Sequence, residues 1–486
     1  VTGRAAVVVV GGGIAGLAAA WELTGGATPD HEGPRVVVLE SSRRLGGPLL
    51  SSEFDGRTVD LGPDGFLGRR PEAAELCREI GIEDRLRPIG ASGASVYARG
   101  RLRRLPSDLL LGVPMRWWPV ARSGVLGAGG SLRLLRDAVA PRADRRGPLG
   151  DRALGPLVAR RLGRAVVDTL VDPLVGGIHA GSVSDMSAAA VLPQLLAAPR
   201  RGSVMRALRR GVRTAATGDS ADAPPPLFWA VEGGMSTLVS CLEEALLARG
   251  VEIRTQLGAE RLDRAGRSGW TVETRVGRLD ADGVVLAVPA GAAAELLAPH
   301  DADAASLERT IEYGSVAVVT LAYPDDGVAL PPGTGFLVPK GARSPLASAE
   351  GGDLLLTAGT FLDAKWPHLK RPGTVLLRAS VGRFGDRRAE QMDDAELARR
   401  VTAELAAVLA LGASPTATLV TRWRHAFPQY RVGHLLRVSG IEAAVKRLPA
   451  LAVAGAPYRG VGVPACIGSG RAAAAAVRGA LADTRP

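Results

Sequence analysis

Gly11, Gly13 and Gly16 follow directly on the apolar run Ala6 to Val10, and this spacing is where chemistry is first legible in the chain. In a G-x-G-x-x-G turn, the first glycine permits a tight strand-to-helix reversal. The second lets backbone approach a pyrophosphate, and the third lets the helix pack closely on the strand. The helix start then presents backbone N–H groups and a positive dipole end to phosphate charge. Gly12, Ile14 and Ala15 complete that turn. Glu40 ends the next apolar run, Arg35 to Leu39, where a carboxylate can hold ribose hydroxyls. Its separation from Gly13 exceeds the usual ~20 residues, and a Gly/Pro-containing connection over 25–34 absorbs the excess. Beyond it, Arg44, Gly46 and Gly47 supply a basic side chain and two permissive glycines, a pattern that favours FAD over a nicotinamide dinucleotide. Asp60-Leu61-Gly62-Pro63-Asp64 follows.

The elements that must position these residues alternate in period. Ala6 to Val10 and Arg35 to Leu39 read as buried parallel strands flanking a helix from Ile14 to about Leu23, which makes a βαβ unit. A helix over Glu232 to Arg249 precedes short strands at Val251 to Arg254, Trp270 to Arg275 and Gly283 to Val288. Further strands are expected at Val316 to Ala322, Leu354 to Gly359 and Thr374 to Val381, with a helix at Asp393 to Leu411 stopped by Gly412. The strand Leu451 to Ala454 and an alanine-rich helix from about Ile467 to Leu481 close the chain. The fold class is α/β: a Rossmann-like FAD-binding domain of discontinuous segments (1–88, 227–298 and 445–486), a mainly helical insertion (89–226) and a mixed α+β substrate-binding domain (299–444).

Composition narrows the function classes. At 486 residues, 46% apolar and 22% charged, the chain can bury real cores and is neither disordered nor collagenous. Cys77, Cys241 and Cys466 are far apart, which points to a reducing compartment rather than a disulfide framework. No apolar run is long enough to span a bilayer, and the opening VTGRAAVVVVGGG has neither leader nor cleavage site, so the expected location is cytoplasmic. The formal charge of +11 is carried almost wholly by arginine dispersed along an asparagine-free chain. It suits an acidic small molecule or an anionic membrane surface, not a nucleic acid, for which no basic helix or aromatic platform is present. The six histidines show no metal-ligand spacing, and no nucleophile motif stands out. Trp117 and Trp118 suit either a core or a peripheral contact with the inner face of the membrane, with the core preferred.

The closing segment Ala454-Gly455-Ala456-Pro457-Tyr458-Arg459-Gly460-Val461-Gly462-Val463-Pro464, with Ser469-Gly470-Arg471, Trp423 and Pro428-Gln429-Tyr430-Arg431-Val432-Gly433-His434, makes the pattern specific. Together with the glycine turn and the Asp60 to Asp64 segment, it resembles the porphyrinogen oxidases of the flavin amine oxidase superfamily, nearest the Gram-positive coproporphyrinogen type. The resemblance covers nearly the whole chain. It implies that Gly11 to Gly16, Glu40, Ser41, Arg44, Gly46 and Gly47 hold the ADP half of a non-covalent FAD. It also implies that Gly62, Pro63, Asp64, Gly65, Trp423, Val461, Gly462 and Val463 line the flavin half. Ala259 stands where relatives often carry valine near the adenine. On the substrate side, Arg70 matches a basic position that faces a propionate, and Ile178, Thr334, Gly335 and Leu337 match positions that sandwich the macrocycle. His179 replaces an aromatic common in the family.

The implied reaction is a six-electron oxidation of coproporphyrinogen III to coproporphyrin III in heme synthesis. Hydride passes from a methylene bridge to flavin, and molecular oxygen returns the flavin to its oxidised form with release of hydrogen peroxide. Asp64 is the single candidate for managing a proton. Protoporphyrinogen IX is the alternative substrate. An amine oxidase, which calls for an aromatic cage and a lysine near the flavin, is poorly served by 19 aromatics and Lys340 as the first lysine. A flavoprotein without turnover is the third reading.

Overall fold

The structure, a computed structural model, describes residues 4–28, 33–139, 150–197, 203–216, 226–266, 269–346 and 352–483. His31, part of the 25–34 connection and stretches of the expected helical insertion lie outside the described residues. Two compact units divide the chain: 1–88 with 225–312 and 435–486, and 89–224 with 313–434.

In the first unit, five strands form a parallel sheet. Ala6–Val10 is flanked by Arg35–Leu39 and Gly283–Leu286, with Glu252–Arg254 and Leu451–Val453 outermost. Val7, Val9, Val36, Val38 and Val285 are buried, as expected of β-branched runs covered on both faces. The helices Ile14–Leu23 and Val463–Asp483 pack on each other through small residues. Gly470 is the closest point: a Cβ there would collide with Ala15 O and come within 3.1 Å of Ala19 N. The closing helix begins four residues earlier than expected, and the helix expected over Glu232 to Arg249 is Met235–Ala248, because Gly233 and Gly234 adopt φ of +82° and +85° before it.

In the second unit, a seven-stranded sheet runs in the order Ala417–Pro428, Tyr313–Pro324, Thr374–Val381, Leu356–Phe361, Gly335–Leu337, Ser95–Ala98, Arg101–Arg104. Neighbouring strands in it pair antiparallel, except Gly335–Leu337 with Ser95–Ala98, which pair parallel. Ser95–Ala98 and Arg101–Arg104, read from sequence within a mainly helical insertion, are therefore strands, and helices occupy that insertion only from Trp117–Ser123 onward. Residues 299–312 fall in the first unit. The helix Asp394–Leu409 starts at an Asp393 cap, whose carboxylate accepts from Glu396 N at 2.8 Å. Its left-handed terminus is Ala410 rather than Gly412. Trp117 and Trp118 are 40% and 58% exposed with rings edge to face, so the preferred core placement is overturned.

Candidate functional site

In the first unit the glycine turn is built as its spacing demands. Gly11 has φ +109°, and a Cβ on it would strike Ala287 O, while a Cβ on Gly16 would strike Gly11 O. Neither position accepts a side chain. Around Gly13, by contrast, a Cβ would meet nothing within 4 Å, so the turn is tight on its protein side and open on the other. The helix Ile14–Leu23 starts at Gly13 with no side-chain cap, so no side chain of the protein occupies the hydrogen-bonding position at its start.

Glu40 sits where the second strand ends. Its Oε2 accepts from Gly12 N at 2.8 Å and its Oε1 from Ser42 N at 2.7 Å, which fixes the carboxylate beside the turn with acceptor sites remaining. Gly46 N donates to Gly12 O at 2.8 Å, so the 46–47 loop runs along the glycine turn, with φ of +90° and +58° at its two glycines. Arg44 is spent on this loop: Nη2 donates to Gly47 O at 2.6 Å and Nη1 to Leu45 O at 3.2 Å. Burial pulls its pKa below the usual arginine value, with Glu40 opposing. Its observed contacts order the loop.

Ala259 lies just past a segment that the sequence reading did not single out. Gln256 N donates to Ser42 O and Leu257 N to Glu40 O, both at 2.8 Å, and a Cβ on Gly258 would come within 3.3 Å of Ser41 Cβ. Residues 256–258 thus run along Glu40 to Ser42. The only signal for this in sequence was a loop following a short strand.

The Asp60 to Gly65 segment and the closing glycines are also fixed by named bonds. Asp60 Oδ1 accepts from Ser51 Oγ at 2.6 Å and Met235 N at 2.7 Å, so it holds the start of the Met235–Ala248 helix. Gly62 is buried, Pro63 exposed, and Asp64 and Gly65 half-buried in the irregular stretch that follows. Ser469, Gly470 and Arg471 each do a separate job. Ser469 Oγ accepts from Gly455 N at 3.0 Å, Gly470 admits the Ile14–Leu23 helix, and Arg471 Nη2 reaches Glu79 Oε2 at 2.6 Å. The loop carrying Val461 and Gly462 leads straight into Val463, the first residue of the closing helix. Tyr458 OH donates to Glu308 Oε1 at 2.8 Å in the core. Burial pushes the Glu308 carboxyl up to about 7, with the Tyr458 bond opposing.

Arg70 is brought to this loop. Its Nη1 lies 3.9 Å from the position a Cβ would take on Gly460, and its Nη2 bonds Glu72. The side chain is 47% exposed, so an incoming carboxylate can reach it. Cys466 is buried beside the same loop, 3.9 Å from Gly460 O, and its thiol is pushed up to about 12 by burial, with Arg70 opposing. It is a neutral thiol, not a nucleophile.

The second unit gathers the other candidates. Ile178, 44% exposed, is on the helix Asp172–His179. A Cβ on Gly177 would sit 3.8 Å from Leu337 Cδ2, so this helix adjoins the Gly335–Leu337 strand. Gly335 has φ +147° and no room for a Cβ against Gly359 O. Thr334 Oγ1 donates to Gly93 O at 3.2 Å. His179 is pushed down to about 4 by burial, with His434 contributing, so its ring is neutral at physiological pH. Trp423 also belongs to this unit, paired with Val316 at a bulge, and is not part of the cradle unit.

The family description Flavin containing amine oxidoreductase matches residues 14–478. The chain belongs to that family. It is 31% identical over 475 residues to the coproporphyrinogen III oxidase of Bacillus subtilis (strain 168), covering 97% of each chain. Over 471 residues it is 37% identical to the coproporphyrinogen III oxidase of Mycobacterium leprae (strain TN), covering 96% of each. A crystal structure from Exiguobacterium sp. 255-15, provisionally named a protoporphyrinogen oxidase, superposes with a TM-score of 0.83 at 29% identity, covering 98% of this chain and 99% of that one. The family and the α/β fold expected from the motifs are those found, and a flavin-dependent oxidoreductase follows from the family.

Proposed function

We propose that the chain oxidises coproporphyrinogen III to coproporphyrin III in heme synthesis, using FAD bound without a covalent link. The observation that carries the reading is the near full-length likeness to relatives named coproporphyrinogen III oxidase. The site residues fit the cofactor: the cradle is closed to any side chain at Gly11 and Gly16 yet open at Gly13, and it pairs an uncapped helix start with a fixed carboxylate. That donor set suits a pyrophosphate and a ribose. Gly11 to Gly16, Glu40, Ser41, Gly46 and Gly47 hold the ADP half, with Arg44 bracing the loop and Ala259 near the adenine. Gly62 to Gly65 and Val461 to Val463 line the flavin half. Flavin, when bound, accepts a hydride from carbon and passes electrons to molecular oxygen.

The protein's own contribution is position and charge. Arg70 takes a propionate by a charge-assisted hydrogen bond, in competition with Glu72. Ile178, Thr334, Gly335 and Leu337 offer a largely apolar face to the macrocycle, and the start of the Val463–Asp483 helix directs its positive end to charge that develops on reduction. Asp64, half-buried between Pro63 and Gly65, is the group assigned to hold or move a proton. Cys466 offers no thiolate for a covalent tether, which supports non-covalent binding.

Three free cysteines agree with a cytoplasmic location. No described helix is long and apolar enough to cross a membrane, and exposed Trp117 and Trp118 are the contact assigned to the inner face of the membrane. The test is parallel aerobic turnover of coproporphyrinogen III and protoporphyrinogen IX, followed by porphyrin fluorescence and peroxide release. A higher kcat/KM for the tetra-propionate substrate is expected, and preference for protoporphyrinogen IX would replace the substrate assignment.

A further inference from the structure

We infer that Arg383 is a positioning residue for the porphyrinogen: its guanidinium sets the spacing between the helix that carries Ile178 and the strand that carries Leu337. The inference rests on the assignment of those two residues to the macrocycle. Arg383 follows the strand Thr374–Val381 by two residues, past Gly382, whose φ of +93° and close approach to Ser315 O leave no place for a side chain. The guanidinium is turned inward and is 9% exposed. Nη1 bonds Asp172 Oδ2 at 3.0 Å, at the first residue of the Asp172–His179 helix, and Nη2 donates to Val338 O at 2.7 Å, one residue beyond Leu337. One planar fork therefore grips both walls.

The grip extends to the other end of the helix. The next residue along, Phe384, donates its N–H to Ala180 O at 2.6 Å, and Gln429 Nε2 donates to His179 O at 3.0 Å. Asp172 Oδ1 also accepts from Val183 N at 3.0 Å, so the carboxylate is anchored independently of Arg383. The approach requires Gly176: a Cβ there would lie 3.4 Å from Arg383 Nη1 and 2.7 Å from Gly181 O. Two adjacent residues, 383 and 384, thus hold both ends of an eight-residue helix whose outer face presents Gly177 and Ile178. Buried ion pairs seldom out-stabilise a well-packed apolar replacement, so a fixed geometry is the better account of an arginine here. The fork is what matters, because a lysine ammonium in the same place is a point charge that cannot match two acceptors on separate elements with planar geometry.

The test compares Arg383→Lys with Gly177→Val in the holoenzyme, using steady-state kinetics with coproporphyrinogen III, the flavin absorption spectrum and thermal melting. Gly177→Val adds bulk on the exposed helix face beside Leu337 and reports whether that surface meets substrate at all. Both variants are expected to raise KM about five- to tenfold, leave kcat within about twofold and leave the flavin spectrum unchanged. If Gly177→Val leaves KM unchanged, the macrocycle assignment fails and the inference with it. If Gly177→Val raises KM while Arg383→Lys only lowers the melting temperature, the surface is right and Arg383 is merely structural. Should Arg383→Lys not fold, Asp172→Asn reads the same quantities, since it removes the ion pair while leaving Arg383 on Val338 O. An unchanged KM in that variant overturns the inference.

Discussion

Replacing Glu308 by Gln should change how the first unit responds to pH, and the size of the change follows from its surroundings. Glu308 is wholly buried, its Oε1 accepts from Tyr458 OH, and its Oε2 has no hydrogen-bond partner. Burial raises its pKa from 4.5 to about 7. Between those values the folded chain holds a proton that the unfolded chain has released. Stability is therefore complete below about pH 4.5 and declines as pH rises through 7. The gap corresponds to roughly 3 kcal/mol at ~1.4 kcal/mol per pH unit. Glutamine keeps an acceptor for Tyr458 and carries no charge, so the variant escapes the decline. Urea unfolding at pH 5, 6, 7 and 8, followed by the transition that releases flavin, measures it. The variant should gain on the parent by roughly 3 kcal/mol between pH 5 and pH 8. A difference between the two proteins that stays flat within about 0.5 kcal/mol would refute the argument.

Other outcomes follow from the same contacts. Arg70→Met should raise KM for coproporphyrinogen III about tenfold or more, through loss of a charge-assisted bond worth ~1.5–3 kcal/mol, while flavin content stays unchanged. Kinetics with purified protein decides this, and an unchanged KM would remove Arg70 from the substrate site. Gly16→Ala should purify with little or no flavin, because its Cβ has no room against Gly11 O; the ratio of visible to ultraviolet absorbance measures it. Acid precipitation of the parent should leave FAD in the supernatant, since the Cys466 thiol is held neutral. Flavin that stays with the pellet would contradict non-covalent binding.

Much of the cradle was legible because its signals are local. A β-branched run, glycines at 11, 13 and 16 and an acid after the second run specify a strand, a turn and a helix within a few residues of each other. The observed strands Ala6–Val10 and Arg35–Leu39 and the helix Ile14–Leu23 have the expected bounds for that reason. What pairing decides was not legible. Arg101–Arg104 has a polar, basic sequence and becomes a strand through antiparallel pairing with Ser95–Ala98. The twelve-residue strand Ala417–Pro428 carries mixed polar and apolar residues and is held by Tyr313–Pro324. Residues 256–258 reach Glu40 to Ser42 only through backbone bonds that leave no mark in side-chain pattern. Arg383 was lost among many arginines, because its role depends on two acceptors distant in sequence, Asp172 and Val338.

The most direct test of the central claim is a single anaerobic turnover. Coproporphyrinogen III is mixed with the purified yellow protein in a stopped-flow cell while absorbance near the flavin maximum is recorded, and oxygen is then admitted. The account predicts bleaching of the flavin on mixing, recovery of its colour with oxygen, and porphyrin fluorescence that accumulates over repeated cycles. A flavin band that stays unbleached with both coproporphyrinogen III and protoporphyrinogen IX would contradict it.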